Sequence, residues 1–87
     1  MKLSQTSQFR KDVKRQLKRG KDLSKLEAAI RLILEEQELP ESYRDHPLTG
    51  NWKGRRDCHI EPDWILIYRI TEDELRLERT GTHSDLF

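Results

Sequence analysis

The chain has a single cysteine in 87 residues, so no intramolecular disulfide can form, and a disulfide scaffold and a Cys-based zinc finger are both excluded. It has no apolar run near the roughly 18–20 residues that span a bilayer. Its start, Met1-Lys2-Leu3-Ser4-Gln5, has no apolar stretch of the signal-peptide kind. A cytoplasmic protein without a membrane partner is therefore expected. Aromatic residues are scarce at 7% and hydrophobic residues reach only 33% against 38% charged, which is lean for a core. A chain of this length buries only roughly 60–65% of its unfolded surface. Its order must come from where the apolar residues stand, and they stand periodically, which separates the chain from the disordered class. There is no internal repeat, low-complexity stretch or linker, so residues 1–87 are expected to form one domain.

The net charge of +1 says little about partners, but its distribution says more. Residues 1–21 hold eight Lys/Arg and one acid, residues 22–50 are net −4 and residues 51–87 net −2. A basic segment is an electrostatic footprint for phosphate or for an acidic protein, and its plainer reading is a solvated helix face.

Residues 2–6 can form a short strand. Phe9, Val13 and Leu17 recur every fourth residue among Lys and Arg, which predicts a basic amphipathic helix. Thr6 or Ser7 can cap its start and Gly20 can supply its left-handed end. Ser24-Lys25-Leu26-Glu27 fits a capping box opening a second helix, with Leu23, Leu26, Ile30, Ile33 and Leu34 as its buried stripe and Pro40 marking its end. So short a joint predicts an antiparallel helical hairpin. Residues 40–54 read as a loop. Residues 55–61 alternate, placing Arg56, Cys58 and Ile60 on one face and Asp57, His59 and Glu61 on the other. Trp64–Ile70 is apolar on both faces, as a central strand must be. Residues 75–80, with Leu75 and Leu77 on one face, form the last strand, which Gly81 breaks before a short tail. The expected class is α+β, a β-α-α-β-β-β order with the helices on one face of a small, mainly antiparallel sheet and the other face open for function.

All three histidines, His46, His59 and His83, lie in the second half and outside both helix stripes. Asp57 shares a strand face with His59, and Asp63 and Arg79 stand nearby in sequence. Histidine gives and takes protons near neutral pH. RNA carries its own nucleophile, the 2′-hydroxyl; cleavage needs a base for that hydroxyl, an acid for the leaving 5′-oxygen, and cations for the phosphate. Histidines with Arg or Lys supply all three, and DNA lacks the hydroxyl. Lys53, Arg55 and Arg56 beside Trp52 suit a single-stranded RNA path, or else a turn with snorkelling side chains. Asp57, His59 and Asp63 with His46 or His83 also offer metal-type ligands, although the spacing matches no strong metal signature. Cys58 is expected to face the helices as an inert hydrophobe.

The stretches Asp45-His46-Pro47-Leu48, Gly50-Asn51-Trp52-Lys53-Gly54, Arg56 to Tyr68 and Glu78-Arg79-Thr80-Gly81-Thr82-His83 resemble the YafQ-type toxins of the RelE/ParE superfamily. The resemblance is close over the last half of the chain, and the helices before it suit the RelE-like layout. It implies a ribosome-dependent mRNA endonuclease that cuts in the ribosomal A site with no metal or other cofactor. It also implies a cognate antitoxin that silences the toxin and binds operator DNA in complex with it. The implied functional positions are His46, Asp57, His59, Asp63, Arg79, His83 and Phe87. The rival implied by the same superfamily is a ParE-like toxin that binds gyrase and is no nuclease.

Overall fold

Five consecutive residues, Trp64 to Tyr68, are all excluded from solvent in the computed structural model, which describes residues 1–87. A strand achieves this only when it is covered on both faces and paired along both edges. The sheet contains β1 (Lys2–Gln5), β2 (His46–Pro47), β3 (Arg56–Glu61), β4 (Trp64–Ile70) and β5 (Glu74–Gly81), in the spatial order β1-β5-β4-β3-β2. β4 is central, as its composition predicts. All pairings are antiparallel except β1 with β5, which is parallel. With α1 (Ser7–Lys18) and α2 (Leu23–Leu34) between β1 and β2, the α+β arrangement is the expected one. β2 was not expected: residues 40–54 hold two 3-10 turns, Glu41–Tyr43 and Gly50–Trp52, with this two-residue strand between them. A strand that short has no periodicity to read and exists because His46 and Pro47 pair with Asp57 and Arg56.

On the helix side of the sheet, Phe9, Leu26, Ile33, Cys58, Trp64, Leu66, Tyr68, Leu75 and Leu77 form the main core. Cys58 lies there as expected, and burial pushes its thiol pKa upward. The opposite face is less open than the sequence suggests. Ile65 and Ile67 are sealed by Leu86, with Leu48 and Trp52 packed against them, so the presumed tail is instead a one-turn helix, α3 (His83–Leu86).

α1 does not bury the stripe Phe9, Val13, Leu17. Its buried residues are Phe9, Asp12 and Gln16, Val13 is partly buried and Leu17 is exposed. The reason is topological. β1 pairs with β5 only from Glu74 to Leu77, which leaves the edge of β5 unpaired beyond that point. α1 and its cap cover this edge: Thr6 donates from N to the Leu77 carbonyl and from Oγ1 to the Glu78 carbonyl, and the Thr80 N–H donates to Asp12 Oδ2. A helix that closes a strand edge must present polar atoms there.

The helix ends correct two further expectations. Thr6 caps α1 through Phe9 N, as expected, but α2 is capped by Asp22, which accepts from Ser24 N and Ser24 Oγ; Ser24 is helical and its capping box with Glu27 is not used. A capping box does form at Thr82 and Asp85, at the start of α3. α2 stops at Leu34, well before Pro40. Glu36 turns left-handed at φ 57°, with Glu36 N bonded to the Ile33 carbonyl and Gln37 N to the Leu32 carbonyl. α1 ends with the same hydrogen-bond pattern around Gly20 at φ 82°. The left-handed conformation costs a β-carbon residue about 1–2 kcal/mol, part of which glycine returns through its freer unfolded chain. Glu36→Gly is therefore expected to stabilise the protein by about 0.5–1 kcal/mol, raising Tm by several degrees. A lower melting temperature would show that the Glu36 side chain contributes more than its backbone strain removes.

Candidate active site

Two β-bulges decide which side chains meet. On β5, Tyr68 pairs with Leu77 but Ile67 pairs with Arg79, so Glu78 is the extra residue. Simple alternation would put Arg79 with Leu75 and Leu77 on the helix side; the bulge turns it to the face of Ile67. On β3 the register jumps between His59 and Glu61. Glu61 thereby leaves the face of Asp57 and His59, where alternation puts it, and binds Lys21 and Lys25 at 2.9 and 3.0 Å.

The resulting face has a legible order. His46 stands opposite Asp57, Asp57 opposite Ile67, and Ile67 opposite Arg79, one row across four strands and about 15 Å long at normal strand spacing. His59 begins the next row, opposite Ile65, which is opposite Gly81. His83 follows at the first position of α3, with its ring 5.5 Å from that of His59.

His46 is held by a backbone group. Its Nδ1 lies 2.7 Å from the carbonyl oxygen of Arg44, a residue in the left-handed conformation with φ 48°. Asp57 Oδ1 is also close to Nδ1, at 3.1 Å, but receives no directed hydrogen bond. With the Nδ1 proton on the carbonyl, Nε2 is the free acceptor. The residue that sets the tautomer is thus Arg44, through its backbone, a contact that no sequence pattern marks.

Asp57 is almost wholly buried, and burial raises its carboxyl pKa above the ordinary value, while the positive charge that His46 and His59 can carry opposes the rise. A raised acid has a definite sign. Its ionised form costs stability at neutral pH, and that cost is relieved as pH falls through its folded-state pKa. Asp57→Asn is expected to raise stability at pH 7 by on the order of 1 kcal/mol, with the gain shrinking as the pH is lowered. Urea melts at pH 7 and pH 4.5 check this; a less stable variant at pH 7 would mean the carboxylate is a net support.

His83 is held by Asp63. One carboxylate oxygen, Oδ1, accepts from His83 N at 2.9 Å and from Nδ1 at 2.6 Å, and these bonds hold the Asp63 carboxyl below its usual range. Nε2 of His83 makes no hydrogen bond within the fold. α3 itself is pinned by Asp85, whose carboxylate caps Thr82 N and receives Arg19 at 2.6 and 3.1 Å. Arg19, then the Thr82 backbone, hold the Asp85 carboxyl well below the usual range. Gly81 does not break β5; it is the strand's last residue, and a β-carbon there would lie 2.8 Å from Asp85 Oδ2.

The remaining candidates divide. Trp52, Phe87 and His83 adjoin in series, with ring centroids 6.1 and 6.4 Å apart. Trp52, Arg55 and Arg79 line a common cleft of about 420 Å³. Arg55 lies 3.5 Å from Glu78, and Lys53 is exposed with no ion-pair partner. Arg56 is not with them. It lies on the helix side, bound to Asp45, which also accepts from Tyr68 Oη at 2.5 Å. No three of the His, Cys, Asp and Glu side chains converge in a metal-type cluster.

Comparison with known proteins agrees with this architecture. A family model described as "Bacterial toxin of type II toxin-antitoxin system, YafQ" matches residues 1–87. The "mRNA interferase toxin YafQ" of Escherichia coli (strain K12) is 54% identical over 83 residues, 94% of this chain and 90% of that protein. The toxin in the crystal structure of the E. coli DinJ–YafQ complex superposes with a TM-score of 0.92 at 52% identity, covering 98% of this chain and 96% of that one. A metal-bound toxin from Helicobacter pylori superposes at 0.93 with 40% identity, covering 100% and 99%.

Proposed function

The chain belongs to the YafQ family of bacterial toxins of type II toxin–antitoxin systems, and from that premise we propose that it is an mRNA-cleaving endoribonuclease that acts on ribosome-bound message and so halts translation. The observation that carries the reading is the pair of histidines with fixed tautomers, His46 on the Arg44 carbonyl and His83 on Asp63, both with Nε2 left unbonded, on one sheet face beside His59 and Arg79. In the proposed reaction the RNA 2′-hydroxyl gives its proton to His46 Nε2 and its oxygen bonds to the adjacent phosphorus. The bond from phosphorus to the 5′-oxygen breaks, and protonated His83 donates from Nε2 to that oxygen. A 2′,3′-cyclic phosphate and a 5′-hydroxyl result. Arg79, with Lys53, meets the phosphate charge, Trp52 and Phe87 offer ring faces to bases, and His59 beside His83 is the second candidate for the base. The residues supply base, acid and cation, so the reading uses no metal, and a tight, stoichiometric metal complex of the isolated protein through these histidines would oppose it.

The test is primer extension on mRNA after induction. New 5′ ends within codons are expected; DNA breaks with intact mRNA would place the protein with the gyrase-binding toxins. The site of action is the cytoplasm, where ribosomes are; no helix of the chain is long and apolar enough to cross a membrane.

The E. coli relative is held by DinJ, and a cognate antitoxin is proposed here too, reaching operator DNA only as part of the complex. Its footprint is α1. Arg15 and Arg19 are engaged by Asp85, but Lys11, Lys14 and Lys18 have no acidic partner. An acidic segment that orders on binding suits this face, as does ribosomal RNA. Charge reversal at Lys11, Lys14 and Lys18 should weaken both associations at low salt, with the difference shrinking as salt rises. Unchanged binding of both at low salt would leave α1 a merely solvated face.

A further inference from the structure

Asp12 is the sole acid among residues 1–21 and is fully buried. Four donors converge on it: Arg79 Nε at 2.7 Å, Arg79 Nη2 at 3.2 Å, Thr80 N at 3.2 Å and Gln8 Nε2 at 3.1 Å. The pair with Arg79 is bidentate and takes one edge of the guanidinium, through Nε and Nη2. The Nη1–Nη2 edge, with one proton from each nitrogen, is left for a ligand, as is the second Nη1 proton. The arginine is still partly exposed and lines the cleft with Trp52 and Arg55. Its backbone is fixed as well, because the bulge at Glu78 directs it and the next N–H ends on the same carboxylate.

We propose that Asp12 is a positioning residue for RNA cleavage: from α1 it orients the Arg79 guanidinium so that its free edge meets the scissile phosphate. This rests on the reading of Arg79 as the phosphate-binding cation. A carboxylate buried this fully needs a paired cation and several donors for the fold itself, and Arg79 meets that need. The bidentate geometry adds direction, and direction matters because a catalytic group misplaced by about 1 Å can lose 10²-fold in rate. An arginine held this way also loses little freedom when the phosphate arrives.

The experiment is single-turnover cleavage of mRNA on programmed ribosomes with purified Asp12→Asn, Arg79→Ala, Arg79→Lys and the double variant Asp12→Asn/Arg79→Ala. Each is measured across toxin concentration so that the maximal rate separates from the half-saturating concentration. Asp12→Asn should lower the maximal rate about 10–100-fold and move half-saturation little. The double variant should be no slower than Arg79→Ala, because Asp12 has nothing left to orient. Arg79→Lys keeps the charge but cannot form the bidentate pair, and it should resemble Asp12→Asn; it carries the test if Asp12→Asn does not fold. Multiplying losses in the double variant would make Asp12 a structural residue and overturn the proposal. So would a fully active Asp12→Asn or Arg79→Lys. A fully active Arg79→Ala would overturn it by removing Arg79 from the reaction, whereas the reading of the protein as a ribonuclease fails only if the parent makes no new RNA ends.

Discussion

His83→Ala loses roughly 10²–10⁴-fold in the rate of mRNA cleavage, the usual worth of one positioned proton-transfer group, and keeps its fold. The two halves of this expectation have separate grounds. The imidazole is more than half exposed and packs into neither core cluster, so its removal touches no buried contact. The anchors of α3 remain: the Thr82–Asp85 capping box, Arg19 on Asp85 and the burial of Leu86. Surface substitutions of this kind usually stay within about 0.5 kcal/mol. The rate loss follows from the leaving group, because an alkoxide leaves slowly unless it is protonated as the bond breaks. Single-turnover cleavage together with a thermal melt checks both halves. A variant that cleaves like the parent removes His83 as the acid; one that melts far lower shows that the Asp63 contact is structural first.

How much of this was legible in the sequence depended on whether a residue's role was local. β4 could be read because Trp64 to Tyr68 is apolar without interruption. The residues of α2's stripe, Leu23, Leu26, Ile30, Ile33 and Leu34, do face the core. His46, His59 and His83 were legible as candidates because no stripe accounts for them. What failed depended on distant partners. Alternation mispredicts Glu61 because the bulge on β3 depends on its pairing with β4. α1 was expected to bury Leu17 and instead buries Asp12 and Gln16, because its true partner is the open edge of β5, a consequence of β1 being short. Arg56 counts as one of three cations beside Trp52 only against the alternation of β3, which already puts it on the face of Cys58, where Asp45 holds it. The capping box read at Ser24 is not used, and the one that forms, at Thr82, lies in what was read as a tail. Asp22 captured the start of one helix by standing two residues ahead of Ser24, and nothing competed with Thr82.

His46→Ala is expected to match the loss at His83 in size, roughly 10²–10⁴-fold, but to change the pH–rate profile in the opposite way. A reaction that needs one deprotonated and one protonated imidazole gives a bell, whose acid limb belongs to the base and alkaline limb to the acid. With Nδ1–H donating to the Arg44 carbonyl, Nε2 is the nitrogen through which His46 can accept. His83 has its Nδ1 2.6 Å from the Asp63 carboxylate, an anion that meets the charge of the imidazolium the acid step calls for. Removing His46 should therefore flatten the acid limb and leave the alkaline limb, while removing His83 should do the reverse. His59 offers the sharpest alternative, because its ring adjoins His83 but its Nδ1 is buried without a partner, so nothing fixes its tautomer. A base with an unfixed proton would be in the productive form for only part of the time, which ranks His59 behind His46. Single-turnover rates between pH 5 and pH 9 for the three alanine variants decide the matter. An acid limb that survives in His46→Ala and vanishes in His59→Ala would transfer the role of base to His59.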